Sequence, residues 1–172
     1  MAAMVRNGKQ AMVSADEEMD RDRTRNVQTL RGIINKHGWP TISMVGEDGF
    51  EAAWVIAQHA DFDVEFQKTV LALMEKVPVG DKLLFRQAYI QDRILVNSGQ
   101  PQLFGTQFMP MNGKMVPRPI QDGPNLDKRR KRYGLEPFEE HMKRFEGSEE
   151  DVAKRQLAEN GVDWRRDQQR AA

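Results

Sequence analysis

Between residues 58 and 67 the chain reads Gln-His-Ala-Asp-Phe-Asp-Val-Glu-Phe-Gln, which sets one imidazole among three carboxylates and two amides. A carboxylate beside an imidazole fixes its tautomer and raises its basicity, the arrangement general acid and base catalysis uses. His59, with Asp61 or Asp63 as its orienting group, is therefore the candidate catalytic set, and Gln67 the first candidate binding residue. A His and Asp at i, i+4, as His59 and Asp63 stand, also match the spacing of two metal ligands. A metal-dependent site would need carboxylates from other segments, so no metal is assigned and no cofactor is named. Ala52, Val55, Ile56 and His59 recur at the spacing that lines one side of a helix. That stripe predicts a mostly buried imidazole, hydrogen-bonded to a carboxylate or to the backbone. The same residues also fit a core histidine flanked by two aspartates that cap helices.

Three further segments carry polar chemistry. Asp92 and Arg93 are adjacent, so on a helix they diverge by roughly 100° and only one faces a pocket directly. Arg93 has the rigid donor fork of a carboxylate or anion clamp, although an interhelical salt bridge explains the pair as well. From Gly99 to Phe108 the composition suggests a strand with Gln102, Phe104, Thr106 and Phe108 on one face and Gln107 on the other. Gln102, Thr106 and Gln107 are candidate hydrogen-bonding groups for a polar substrate, or polar cross-strand pairs of a hairpin. Gly105 marks a close approach by a backbone or a ligand. Five consecutive cations, Lys128 to Arg132, precede Tyr133. Asp127, Glu136, Glu139 and Glu140 flank them, so one or two arginines are expected to reach internal carboxylates while the others stay solvated. Nucleic-acid binding is not expected, because it needs a basic face and not only a basic run.

These residues must be positioned by helices. The chain has 172 residues, 26 Lys and Arg against 26 Asp and Glu, and no cysteine. Zero net charge supplies no general attraction to nucleic acid or to an anionic membrane. The absence of cysteine excludes disulfides, a thiol nucleophile and cysteine-ligated zinc. No stretch approaches the roughly 20 apolar residues of a membrane span, and Met1 to Met19 lack a secretory core; a cytoplasmic location is the expectation. Residues 1–15 lack a period and read as a flexible tail. The pattern Met19, Val27, Leu30, Ile33, Ile34 predicts a helix from Asp16 to Lys36. Trp39-Pro40 makes a rigid turn packed under the core, Gly46 to Gly49 a second one, and Phe50 to Ala60 a helix. A further helix follows to Val77, capped by Asp61 or Asp63. Asp81 is expected to cap another, Lys82 to Val96. Asn112-Gly113 is a hairpin signal joining strands near 102–108 and 115–120. A short helix near 137–145 and a charged helix from Ser148 to Asn160 complete the chain, with Trp164 as an anchor in the tail. The reading is a mainly α, single compact helical domain over 16–147 with a small β-hairpin near 102–120, followed by a charged C-terminal helix and tail over 148–172.

As a set, several blocks resemble an uncharacterised bacterial family of the domain-of-unknown-function type. They are Asp20 and Asn26, Gly38-Trp39-Pro40-Thr41, Val45-Gly46, Ala53-Trp54, Gln58-His59-Ala60-Asp61 with Asp63 and Phe66-Gln67, Asp92-Arg93, Gly99-Gln100-Pro101-Gln102, Gly105-Thr106-Gln107, Pro119-Ile120, and Lys128-Arg129-Arg130 leading to Gly134-Leu135. The resemblance spans residues 16–145 and brings no established activity. It implies a lined pocket, since the shared residues are polar and come from separate segments. The leading expectation is an enzyme that uses His59 as general acid or base, oriented by Asp61 or Asp63, in hydrolysis or another proton-transfer reaction on a small polar molecule or peptide, with Arg93 and Gln107 binding a polar or anionic group. The alternative is a non-catalytic ligand-binding or interaction domain whose buried polar network is structural. No serine elbow, phosphate-binding glycine loop or zinc signature narrows the reaction.

Overall fold

The computed structural model describes residues 2–147 and 151–152, with residues 2–16 described by backbone alone. It is mainly α-helical with one two-stranded antiparallel hairpin. Residue contacts group the chain into two units, Met1–Ile90 and Gln91–Ala172, where length alone suggested one domain.

The first unit begins with α1, Ala2–His37. Its helical backbone includes residues read from sequence as an aperiodic tail. Val27 and Leu30 form its buried seam, while Met19 and Ile33 stay exposed. Gly38 ends the helix at φ 79°, its N–H bonded to the Ile34 carbonyl, and Trp39-Pro40 follows as a buried turn. Helix α2, Ile42–Gln58, is interrupted at Gly46 (φ 73°, ψ 172°), a conformation open only to glycine. Its first turn is capped from a distance: the Ser43 N–H and hydroxyl both donate to the Asp81 carboxylate. Asp81 therefore caps α2, and not the helix after it as its position in sequence suggested. Helix α3, Val64–Lys76, starts at Asp63, whose side chain accepts the Phe66 N–H. At its other end Lys82 Nζ, nearly buried, donates to the carbonyls of Met74 and Glu75. Helix α4, Leu84–Asn97, crosses the unit boundary. Its first turns pack on α2 through Arg86, which lies 3.9 Å over the Trp54 ring and pairs with Glu51, while its carbonyl accepts Trp54 Nε1–H.

The second unit holds the hairpin: β1, Phe108–Met111, pairs with β2, Lys114–Pro117, in the register Phe108↔Pro117 to Met111↔Lys114. Asn112 and Gly113 both have positive φ, the two-residue turn that their types signal. The first strand thus starts at Phe108, and the strand expected from Gln102 is a loop. Two causes are visible. Three of its amide groups are claimed by the Asp92 side chain, and Gly105 leaves the extended region at φ 69°. The return strand ends at Pro117, short of the expected Ile120, with one further cross-bond from Arg118 N–H to the Gln107 carbonyl. After a 3-10 turn at Gly123–Asn125 come α5, Leu126–Arg132, and α6, Phe138–Met142. The Asp127 side chain caps α6 by accepting the Phe138 N–H. Asp151 and Val152 are helical; the remaining expectations for the C-terminal segment, including the Ser148 cap and the Trp164 anchor, lie outside the described residues.

Gly105 has two reasons to be glycine. A Cβ there would stand 2.6 Å from Phe138 Cε2, so the ring would have to shift, and the positive φ adds left-handed strain. Gly99 has a similar φ, 71°, but open space around it. We expect Gly105→Ala to cost about 3 kcal/mol, overpacking and strain together, and Gly99→Ala about 1 kcal/mol, strain alone. Urea denaturation of the two variants measures the difference; equal costs would remove the steric account.

Candidate functional site

The candidate residues fall into a set in each unit. In the first, α2 turns its Phe50, Ala53, Trp54, Ala57 and Gln58 side inward. The stripe through Ala52, Val55, Ile56 and His59 lies on the opposite side, with Val55 and His59 exposed. The expectation of a buried His59 is corrected accordingly. Two apolar stripes compete on this helix, and the one carrying Phe50 and Trp54 removes more apolar area from water. His59 is the C-cap residue of α2. Its ring lines a surface groove of about 310 Å³ with Val55 and Ile56 of α2 and Arg23 and Asn26 of α1.

The acids and amides beside it hold the turn between α2 and α3. Gln67 is fully buried and its Nε2 donates to the Gln58 carbonyl at 2.8 Å, with longer contacts to the Ala57 carbonyl and to Asp61 Oδ1, both 3.4 Å. That closes the C-terminus of α2, whose last carbonyls have no helical partner. Asp61 is exposed. Asp63 uses Oδ1 to cap α3 and Oδ2 to receive Arg31 of α1. Partial burial works against the Asp63 carboxylate, but Arg31 and the Phe66 N–H outweigh it and hold the group below the ordinary carboxylate range. Asp81 is lowered too, by the Ser43 hydroxyl and N–H.

In the second unit, Asp92 is the residue of the Asp92-Arg93 pair that points inward. Its carboxylate is fully buried and accepts from Leu103 N (2.7 Å), Phe104 N (3.0 Å), Thr106 N (3.0 Å) and Thr106 Oγ1 (2.9 Å). Burial pushes its pKa upward and these donors pull it back in part. Gln102, also fully buried, closes the same loop: Oε1 accepts Gln107 N–H, while Nε2 donates to the carbonyls of Gln107 and Arg118. Gln107 Nε2 reaches Thr106 Oγ1. Asp92, Gln102, Thr106 and Gln107 are thus brought together, with Arg93 half-buried one residue from Asp92.

The basic run completes this loop from its other side. Arg129 donates from Nε to the Leu103 carbonyl and from its terminal nitrogens to Asp122 and the Gln121 carbonyl. Arg130, fully buried, reaches the carbonyls of Phe104 and Glu136. Two arginines do turn inward, to carbonyl oxygens and, from Arg129, to the Asp122 carboxylate. Nearby, buried His141 bonds through Nδ1 to Glu136 Oε1 at 2.9 Å and packs against Phe108 and Phe145. Burial, chiefly, holds its pKa below the ordinary histidine value. Among the described residues no three His, Cys, Asp or Glu side chains gather as metal ligands, and no helix is long and apolar enough to cross a membrane.

Sequence reasoning missed Arg23 as a neighbour of His59, and Asn26 stood out only through the resemblance. The available signal was their position: both flank the Val27 and Leu30 seam of α1, where a helix meets its neighbour. His141 carried no signal, because its partner Glu136 sits outside α6.

With this geometry in view, a model of a family of unknown function, DUF6624, matches residues 9–153. The chain belongs to this family. No curated protein and no solved structure matches it.

Two measurements follow from the carboxylates. Asp63 and Asp81 have folded pKa values below their unfolded value near 3.8, so they stabilise the fold above that pH and the contribution is lost as pH falls through the lower folded values. We expect acid unfolding, followed by tryptophan fluorescence, to depend less steeply on pH below about 4 in Asp81→Asn than in the native chain. For Asp92→Asn, the amide turns an NH2 towards N–H donors, and we expect a loss of about 3 kcal/mol in urea denaturation, against about 1 kcal/mol for Thr106→Val. An Asp92→Asn cost below that of Thr106→Val would mean the loop does not rely on the carboxylate.

Proposed function

We propose that this chain is a ligand-binding domain whose binding site is the groove between α1 and α2, and whose buried polar residues have a structural part. The observation that carries this reading is the division of the candidate residues by burial. The buried ones, Gln67, Asp92, Gln102 and Thr106, direct their polar atoms at the chain's own backbone and at one another. His59 is exposed and lines an open groove with Arg23 and Asn26.

The lining suggests the ligand class. Arg23, whose Nη1 already donates to Asp20 at 3.2 Å, has further donors on its planar fork suited to a carboxylate, Asn26 supplies an amide donor, and His59 an imidazole at a helix C-terminus, where positive charge is favoured. Val55 and Ile56 give the groove an aliphatic wall. A small carboxylate with a short branched tail matches both halves, and about 310 Å³ is at the lower end of small-molecule sites. Binding is favoured over general-base catalysis by His59 because Asp63, one of its two expected orienting groups, is engaged by Arg31 and the α3 N-terminus. A catalytic His59 would depend on Asp61.

The test is an NMR titration of the full chain with isovalerate, using isovaleramide as the uncharged control. Saturable shifts at Arg23, Asn26, Val55, Ile56 and His59 are expected with the acid alone, and Arg23→Gln should weaken binding about tenfold, the loss of one charge-assisted contact worth about 1.4 kcal/mol. Absence of saturation, or equal binding by the Arg23→Gln variant, would overturn the assignment.

A further inference from the structure

Helix α5 sorts the five cations by phase. Arg129 and Arg130 turn into the unit and bond its carbonyls. Lys128, Lys131 and Arg132, at i, i+3 and i+4, form one outward stripe. All three are exposed, and none forms an ion pair among the described residues. Beside this stripe runs a groove of about 470 Å³ between α5 and α6. Leu126, Phe138 and Met142 give it an apolar floor, and Asp127, Glu139 and Glu146 an acidic rim with Lys143 as its one cation. Lys143 itself pairs with Glu140.

Stripe and groove are complementary to each other. Lys and Arg carry apolar stems behind their charged heads, so three of them laid along an apolar floor cover hydrocarbon and bring their charges to the rim. They cannot do so within one copy, because the stripe and part of the groove belong to the same short helix. Two copies related by a two-fold axis satisfy both at once, since each offers the same stripe and the same groove. We propose that the chain forms a symmetric dimer in which the Lys128, Lys131 and Arg132 stripe of each copy lies in the acidic α5–α6 groove of the other. Neutral net charge suits this: opposite charges lie side by side on one unit and no long-range repulsion opposes association.

Sedimentation equilibrium of the full chain at low and high salt tests it, with two charge-reversed variants. One reverses the stripe (K128E, K131E, R132E) and one reverses the rim (E139K, E146K); Asp127 is kept because it caps α6. The native chain should dimerise at low salt and dissociate as salt rises. Each variant alone should be monomeric, and an equimolar mixture should recover a heterodimer, because the acidic stripe of one then meets the basic rim of the other. If a charge reversal unfolds the chain by circular dichroism, the neutral pair K128Q and K131Q replaces it and should weaken the dimer about tenfold. A monomeric native chain at low salt, a dimer unaffected by stripe reversal, failure of the mixture to pair, or a monomeric chain whose stripe binds DNA or RNA at physiological salt would each overturn the proposal.

Discussion

The second unit depends on one buried carboxylate. Asp92 gathers the amide groups of Leu103, Phe104 and Thr106 and the Thr106 hydroxyl onto two oxygen atoms. A buried loop would ordinarily leave such donors unsatisfied at a cost of a few kcal/mol each. Here a helix side chain takes the place of a neighbouring strand. The carbonyls of Leu103 and Phe104 are met by Arg129 and Arg130. An anion on one side and two guanidinium groups on the other thus satisfy a segment that has almost no regular structure, and the charges face polar partners that stabilise them.

The same device recurs in the first unit at smaller scale. Gln67 closes the end of α2, Lys82 the end of α3, and Asp81 the start of α2. Each is a polar residue distant in sequence from the helix end it satisfies. Polar residues that from their types alone suggest a reaction centre are, in large part, the means by which short helices terminate inside the units.

This explains which parts of the fold were legible in the sequence. Local signals read correctly: the Gly38 stop of α1, the Asp63 cap of α3, the Asn112-Gly113 turn and the short helix near 137–145 follow from residue conformation within a few positions, whereas the turn expected over Gly46 to Gly49 is a kink at Gly46 alone inside a helix that already starts at Ile42. Gly105 does mark a close approach, but the group that comes near is the Phe138 ring and not the backbone or ligand expected. What failed were judgements needing a distant partner. Residues 102–107 have strand composition, but Asp92 removes the amides a strand would pair. His59 sits on an apolar stripe, but a heavier stripe on the same helix wins the interior. For Asp92 and Arg93 the sequence left open which one faces inward, and Asp92 does, a choice set by about 100° of helical phase that sequence alone does not anchor.

Loops usually absorb insertions and deletions because their amides face water and any length that spans the gap will serve. The segment from Gln102 to Gln107 has lost that freedom. Leu103, Phe104 and Thr106 direct their amides to the Asp92 oxygens, the Leu103 and Phe104 carbonyls meet guanidinium groups, and Gly105 is pressed against an aromatic ring. Adding or removing a single residue would shift every one of these pairings, much as a slip of register does in a sheet. In length and sequence this irregular stretch is therefore held as tightly as a core strand.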